Sequence, residues 1–332
     1  MSSEHRLTYC ITGATGFVGG AVARQLRAAG HQVRAIVRSP EKAGDLAALG
    51  VSLHAGDVTD KASMREPMAG VDGVFHVAGW YKVGNRDRAA AVAINIDGTR
   101  NVLELMQELG IPKGVYTSTL AVNSSTHGQL VDESFQFTGR HVSVYDWTKA
   151  EAHKMAEAFI AKGLPLVIVQ PGLVYGPGDT SGVRTILIQY LQRKLPMLPK
   201  DVAYCWAHVE DIARGHVLAM EKGRPRNYFL AGPAHRLIEA LRIAESITGI
   251  PAPKVLIPSV VLRIAAALVR PIEAIVPLPA SASSESLRVL AGVTYLGTAA
   301  RAQAELGWEP RPLREGLAQT LRHEMTLLGM TR

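Results

Sequence analysis

One short stretch limits the fold more than any other. Thr12-Gly-Ala-Thr-Gly-Phe-Val-Gly19 closes an apolar run, Leu7–Thr12, and opens Phe17–Ala29, whose apolar residues recur at helical spacing. Gly30 suits the C-terminal cap of that helix. Three glycines, Gly13, Gly16 and Gly19, therefore fall in a strand-to-helix turn. Glycine there permits a tight turn, lets the backbone approach a pyrophosphate, and keeps the helix close to the strand. The helix N-terminus adds free N–H donors and a positive dipole end. A purely structural turn would also use glycine. The strand–turn–helix context is what a phosphate-binding loop requires.

The next 140 residues repeat the same grammar. Strand-like Gln32–Val37, Val51–Ala55, Val71–Ala78, Gly114–Thr119 and Leu164–Gln170 alternate with helix-like Pro40–Leu49, Asp60–Ala69, Ala90–Leu109 and Val144–Lys162. Such alternation means βαβ units and an α/β, doubly wound parallel sheet covered on both faces. After Pro171 prolines become dense and the alternation stops. Helical spacing recurs at Thr185–Lys194, Val209–Glu221, Arg236–Thr248, Val260–Val269 and Leu313–Leu328, with a strand-like Asn227–Ala231. Two units follow: a dinucleotide-binding domain over 1–171 and a smaller substrate-binding lobe over 172–332. Part of 202–231 is expected to return to the sheet.

Composition removes other classes. The chain has 332 residues, 47% of them hydrophobic, so a sizeable core is available. With Cys10 and Cys205 alone there is no disulfide framework or zinc ribbon, and no metal site is expected. Reduced thiols and an N-terminus, Met1–Arg6, without a leader pattern suggest a cytoplasmic protein. The most apolar stretch, Val255–Ser284, is broken by Arg263, Arg270 and Glu273 and by Pro258, Pro271, Pro277 and Pro279, too often for a membrane span. It could cover a substrate cleft or lie on a membrane surface, burial in the lobe being the favoured reading. The net charge of +7 comes without a helix-turn-helix, zinc-finger or RNP pattern, and aromatics are 6%. Nucleic acid is thus not an expected partner. A phosphate-bearing cofactor accounts for the basic balance, as would a scattered solvated surface.

Cofactor positions follow from the sheet logic. The second strand ends Ala35-Ile-Val-Arg38, where an acidic residue would accept from the ribose hydroxyls of NAD. Here Arg38 stands, with Lys42 four residues on, which fits the 2′-phosphate of NADP; NAD and an ordinary surface arginine stay open. Asp57 and Val58 follow the third strand, beside the adenine, although an aspartate there could simply make a turn and Asp60 is the better helix cap. Val77, Ala78 and Gly79 end the fourth strand as a small-residue floor. By position, Thr15, Phe17, Val18, Thr117, Pro171, Gly172 and Val174 complete the set of cofactor contacts.

Tyr145 and Lys149 stand at i and i+4, on one helix face. An ammonium beside a phenol favours phenolate and would bring Tyr145 toward working pH. Such a tyrosine passes a proton to or from a carbonyl or alcohol oxygen. Tyr190 and Lys194 repeat the spacing, but beyond residue 171 and near the end of their helix pattern. Thr117, Ser118 and Thr119 close the fifth strand at the carboxyl edge, where a hydroxyl can hold the substrate oxygen. Asn95 could hold a water linking Lys149 to solvent, or be an ordinary helix residue. Trp80, Tyr81, Tyr175, Tyr204 and Trp206 are candidate substrate walls. For Tyr204 and Trp206, packing inside the second lobe is an equal alternative.

Together TGATGFVG at 12–19, GDVTD at 56–60, HVAG at 76–79, INIDGTRNV at 94–102, YTST at 116–119, YDWTK at 145–149, PGLVYGPGD at 171–179, HVEDIARGHVLAM at 208–220 and ELGWEPR at 305–311 resemble the extended short-chain dehydrogenase/reductase family. The resemblance spans nearly the whole chain in order. It implies a Rossmann domain, a nicotinamide cofactor, a homodimer built through a four-helix bundle, and a Ser/Thr–Tyr–Lys catalytic set. Thr119 aligns with the catalytic hydroxyl, with Ser118 as its substitute. Sugar-nucleotide members tend to carry an arginine four residues before the histidine of HVED; here that place holds Tyr204. The resemblance is therefore closest to dihydroflavonol-reductase- and 3β-hydroxysteroid-dehydrogenase-like members. It implies NADP-dependent carbonyl reduction, or alcohol oxidation, on a hydrophobic or aromatic small molecule. A nucleotide-sugar epimerase or dehydratase is the alternative, and a non-catalytic NADP sensor a third.

Overall fold

The structure, a computed structural model, describes residues 6–84, 87–273, 275–276 and 278–330. Met1–His5, most of the segment behind the leader reading, and Pro277 lie outside these. The first half contributes β1 (Thr8–Thr12), α1 (Phe17–Ala28), β2 (Gln32–Val37), α2 (Gly44–Ala48), β3 (Ser52–Ala55), α3 (Lys61–Met68), β4 (Gly73–His76), α4 (Arg88–Val92), α5 (Gly98–Glu108), β5 (Gly114–Thr117), α6 (Val144–Ala161) and β6 (Leu166–Pro171). The second contributes β7 (Leu173–Tyr175), α7 (Gly182–Leu191), β8 (Met197–Pro199), β9 (Ala203–His208), α8 (Val209–Lys222), β10 (Asn227–Leu230), β11 (Ala234–Arg236), α9 (Leu237–Thr248), β12 (Val255–Ile257), α10 (Ser259–Glu273), α11 (Ser284–Leu290), β13 (Thr294–Tyr295), α12 (Ala300–Leu306) and α13 (Leu313–Leu327).

Seven parallel strands form the main sheet in the order β10-β6-β5-β4-β1-β2-β3. Strand order reverses between β1 and β4, and crevices outside the carboxyl ends at such a point take ligands. The sheet is buried on both faces, as its near-continuous apolar strands require. Along β1, Tyr9 and Ile11 pack in a core shared with residues of α1 and α8, while Cys10 faces a second core with residues of α3, α5 and α6. Each large aliphatic side chain hidden this way contributes roughly 1.5–3 kcal/mol. Cys10 and Cys205 are buried free thiols.

The second lobe is built around β9, which pairs antiparallel with β11 and parallel with β7 and β13. Its core gathers Tyr175, Leu187, Tyr190, Trp206, Leu241 and Leu317. Within 202–231 the chain divides: β9 belongs to this small sheet, whereas β10 pairs with β6 in the large one.

Three segments differ from the sequence expectation. Ala90–Leu109 is not one α-helix; a π-helical turn, Ala93–Asp97, separates α4 from α5 and presents Asn95 inward. Pro40–Leu49 splits into a 3-10 turn, Pro40–Lys42, and the short α2. In α10, Leu262 and Ala266 are buried, but Val260, Val261, Ile264 and Leu268 are 50–65% exposed, so burial in the lobe holds for one face only. Among the described residues no helix is long and apolar enough to cross a membrane.

Candidate active site

The phosphate loop is shaped by what its glycines exclude. Gly13 has φ +76°, and a Cβ there would lie 2.6 Å from the Ala78 nitrogen. A Cβ on Gly19 would lie 2.1 Å from the Gly13 carbonyl oxygen. Side chains at either position would push the loop off β4 and off the start of α1. The N-cap of α1 is Gly16, which offers no side-chain acceptor, and the first turn carries no acid. Its N–H donors and dipole end are thus left for an anion. Thr15 and Gly16 are exposed at this mouth and Phe17 and Val18 half-buried.

Arg38 and Lys42 are both exposed near the end of β2, and neither pairs with a carboxylate among the described residues. Asp57 folds back on Thr59, accepting from its nitrogen and hydroxyl at 2.8 Å each. Asp60 caps α3 through Ala62 N and Ser63 N. Val58 is buried, in contact distance of Gly98. Val77 and Ala78 are half-buried and Gly79 exposed at the carboxyl edge of β4. This glycine cradle, uncapped helix end and free cation pair fit a phosphorylated dinucleotide.

Tyr145 opens α6, whose N-cap Ser143 accepts from Asp146 N. Thr119 stands close enough to the Tyr145 hydroxyl to oppose the rise of its phenol, and itself caps the following 3-10 turn through Ala121 N at 3.1 Å. Burial pushes the Tyr145 phenol up to about 12, against the opposing Thr119 bond, and the Asp146 carboxyl adds to the rise. Lys149 is not among the groups that set it. The Lys149 ammonium is engaged elsewhere, donating to Tyr116 OH at 3.0 Å and to the Thr117 carbonyl at 2.8 Å. Burial brings Lys149 down to about 7.

Adjacent hydroxyls on β5 part ways. Ser118 Oγ bonds His153 Nδ1 at 2.9 Å, beneath α6, and Thr117 Oγ1 bonds His216 Nε2 at 2.8 Å, on α8. Thr119 alone of the three reaches Tyr145. Asn95 is 1% exposed, and its Oδ1 and Lys149 Nζ both border the space above Gly79. Its Oδ1 accepts from Trp80 N at 2.7 Å, and its Nδ2 donates to Trp80 O and to Thr148 Oγ1 at 3.0 and 2.9 Å. The π-helical turn thus clamps the strand-to-cleft loop.

The aromatic candidates separate. Tyr81 is 55% exposed at the rim, its hydroxyl 3.3 Å from Thr180 Oγ1. Trp80 is buried behind it. Tyr204 is half-buried, its ring 5.9 Å from that of Tyr295. Tyr175 and Trp206 are both 1% exposed in the second-lobe core, for Trp206 the packing alternative, and Trp206 Nε1 donates to His235 O at 3.1 Å. Apolar rings bury where a core can close over them, and here it does. Pro171 is buried and Val174 half-buried beside β9, and a Cβ on Gly172 would lie 2.2 Å from the Cys205 carbonyl oxygen. Tyr190, in the second Y-x-x-x-K, is a core residue whose hydroxyl donates to Ile250 O at 2.5 Å.

Four further residues belong to the site's surroundings. Tyr295 donates to Asp146 Oδ2 at 2.8 Å, tying the second lobe to the residue after Tyr145. Glu285 accepts from Gly84 N at 2.9 Å and from Val144 N at 3.2 Å, joining α11, the cleft loop and the start of α6. Tyr116 stacks on His76 with centroids 5.4 Å apart. Asp146 alone carried a local signal, an acid in a helix's first turn, and that signal reads as ordinary capping.

The doubly wound sheet, the phosphate loop and the Thr119–Tyr145–Lys149 grouping define an NAD(P)-dependent oxidoreductase. The chain belongs to the NAD dependent epimerase/dehydratase family, whose model matches residues 9–232. A Synechocystis protein provisionally named dihydroflavonol 4-reductase is 35% identical over 259 residues, 75% of each chain. Sterol demethylase protein B of Methylococcus capsulatus is 29% identical over 80% of this chain and 82% of its own. The crystal structure of gox2253 superposes with a TM-score of 0.82 at 28% identity, covering 98% and 99% of the two chains.

Proposed function

We propose that the protein is an NADPH-dependent reductase that converts a carbonyl group of a hydrophobic or aromatic small molecule into an alcohol. The observation that carries this reading is the gathering of Thr119, Tyr145 and the buried Lys149 at the carboxyl edge of β5, with Lys149 bonded to the Thr117 carbonyl at 2.8 Å. In this reading the two hydroxyls hold the substrate oxygen. A bound nicotinamide cofactor supplies a hydride to the carbonyl carbon. Tyr145 gives its proton to the oxygen as the C=O π bond becomes C–H and O–H, and the Lys149 ammonium balances the phenolate left behind. A phenol held high is protonated at neutral pH, the form that reduction needs. The unpaired Arg38 and Lys42 favour NADPH over NADH. Half-buried Tyr204 and exposed Tyr81 give the cleft aromatic edges, and relatives named for a dihydroflavonol and a sterol point to ring-bearing substrates. Tyr204, where sugar-nucleotide members tend to carry arginine, weighs against a nucleotide sugar.

The test is Tyr145→Phe, with aromatic and steroidal ketones as substrates and NADPH oxidation as the signal. Turnover is expected to fall at least about 100-fold, while NADPH binding, followed by fluorescence, stays within about twofold. Full turnover by the variant would refute the assignment. Interconversion of UDP-glucose without net NADPH consumption would favour an epimerase instead. A homodimer through α5 and α6 belongs to the same reading, and sedimentation equilibrium tests it.

A further inference from the structure

Lys149 is held from below by a chain of buried polar groups that sequence spacing did not reveal. Its Nζ donates to Tyr116 OH at 3.0 Å. Tyr116 is fully buried on β5, and Thr99 nearby opposes the rise that burial gives its phenol. Thr99 Oγ1 lies 3.0 Å from His76 Nε2, His76 Nδ1 lies 2.8 Å from Thr12 Oγ1, and Ala78 N donates to Thr12 Oγ1 at 3.3 Å. The bonds from Thr99 through His76 and Thr12 reach the floor of the phosphate loop.

An ammonium only donates, so Tyr116 accepts from Lys149. Beneath it the proton pattern around His76 has one solution. Thr99 has already given its proton to Asn95 O at 2.7 Å. His76 Nε2 must then donate to Thr99, which makes Nδ1 the acceptor of Thr12's proton and leaves Thr12 Oγ1 to accept from Ala78 N. His76 is neutral in this pattern, and burial keeps it so, taking it down to about 3 with the Lys149 charge adding to the effect. Reversing any one bond would set two donors, or two acceptors, against each other.

We propose that Tyr116 is a positioning residue for Lys149, its buried phenol oxygen offering a lone pair to the ammonium from the strand beneath. Two of the three Nζ protons are then committed, to Tyr116 and to the Thr117 carbonyl. The third is left for the cleft, where a Cβ on Gly79 would lie 4.0 Å from Nζ. Without the phenol oxygen a buried ammonium keeps one acceptor, and the neutral amine is favoured. The titratable groups facing Lys149 are Tyr116 from β5, His76 from β4 and Tyr145 from its own helix. On the π-helical turn, Asp97 turns away to Arg100 at 3.0 Å. Among the described residues no carboxylate pairs with Lys149.

The proposal rests on the reductase reading only for its activity readout, so two measurements are paired. In Tyr116→Phe, which removes one oxygen and keeps the ring, the alkaline fall of kcat is expected to move about 1–2 pH units lower, the size of a lost hydrogen bond to a charged group. In the cofactor-free protein, the titration of Lys149, followed by NMR of Cε-labelled lysine and assigned with Lys149→Met, should move by the same amount. An unmoved Lys149 titration in Tyr116→Phe overturns the proposal. A moved titration with an unmoved kcat profile sustains the positioning role and overturns the part given to Lys149 in reduction.

Discussion

Asp146 offers a stability prediction that needs no substrate. Its carboxyl is 1% exposed, bonded to Ser143 Oγ at 2.6 Å and to Tyr295 OH at 2.8 Å. Burial raises it from 3.8 to about 7, against the bonds from Ser143, Tyr295 and Ser124, and Glu285 nearby adds to the rise. An aspartate raised on folding stabilises the folded state while it holds a proton that the unfolded chain has released. That contribution is fully present below about pH 4 and is lost as pH climbs toward about 7. Over this interval the loss reaches about 4 kcal/mol, at 1.36 kcal/mol for each pH unit. Asp146→Asn is neutral throughout, still accepts from Tyr295 and turns its amide toward Ser143. Relative to the unaltered protein, it should gain stability steadily from pH 4 to 7 and hold the gain above pH 7. Urea unfolding at half-unit steps between pH 4 and 8 reads this directly. Other titrating groups, such as the buried His208 and His216, each held down to about 4, cancel in the difference. Stability curves that run parallel across the range would refute the argument, since they would mean the carboxyl titrates alike folded and unfolded.

Two further outcomes follow from the site. Arg38→Ala should weaken NADPH binding about 10- to 100-fold, the value of one charge-assisted bond to a phosphate, and leave NADH binding within about twofold; equal losses for both would assign Arg38 another role. Asn95→Ala removes three bonds that hold the Trp80 backbone and the start of α6. It should cost about 2–4 kcal/mol in urea unfolding, with a change in tryptophan emission, whereas a loss below about 0.5 kcal/mol would show the clamp to be dispensable.

What could be read from the sequence was local and repeated. The glycine turn, the strand–helix alternation and the Tyr145–Lys149 spacing each depend on neighbours within a few residues, and the parallel sheet and its switch point follow from them. What could not be read depends on which side a residue faces after long-range packing. Ser118 and Thr119 are chemically near-equivalent neighbours, and only the alternation of β5 against α6 turns one toward His153 and the other toward Tyr145. Tyr204 and Trp206 share a face of β9, yet Trp206 closes into the core while Tyr204 stays half-buried beside Tyr295, because β13 reaches only the near end of that strand. Asn95 read as a water holder for Lys149 or an ordinary helix residue, and its bonds to Trp80 were hidden because they depend on a π-helical turn.

The same reasoning explains why Lys149 does not lower Tyr145 as spacing suggested. An i, i+4 pair shares a helix face, but where an ammonium points is settled by its acceptors. Here Tyr116 and the Thr117 carbonyl, both on the strand beneath, hold it. The phenol therefore stays protonated and the ammonium stays close to neutrality, each from burial, and the pair is poised to give a proton rather than to take one. A helix face fixes which groups can meet; the sheet below it fixes what they do.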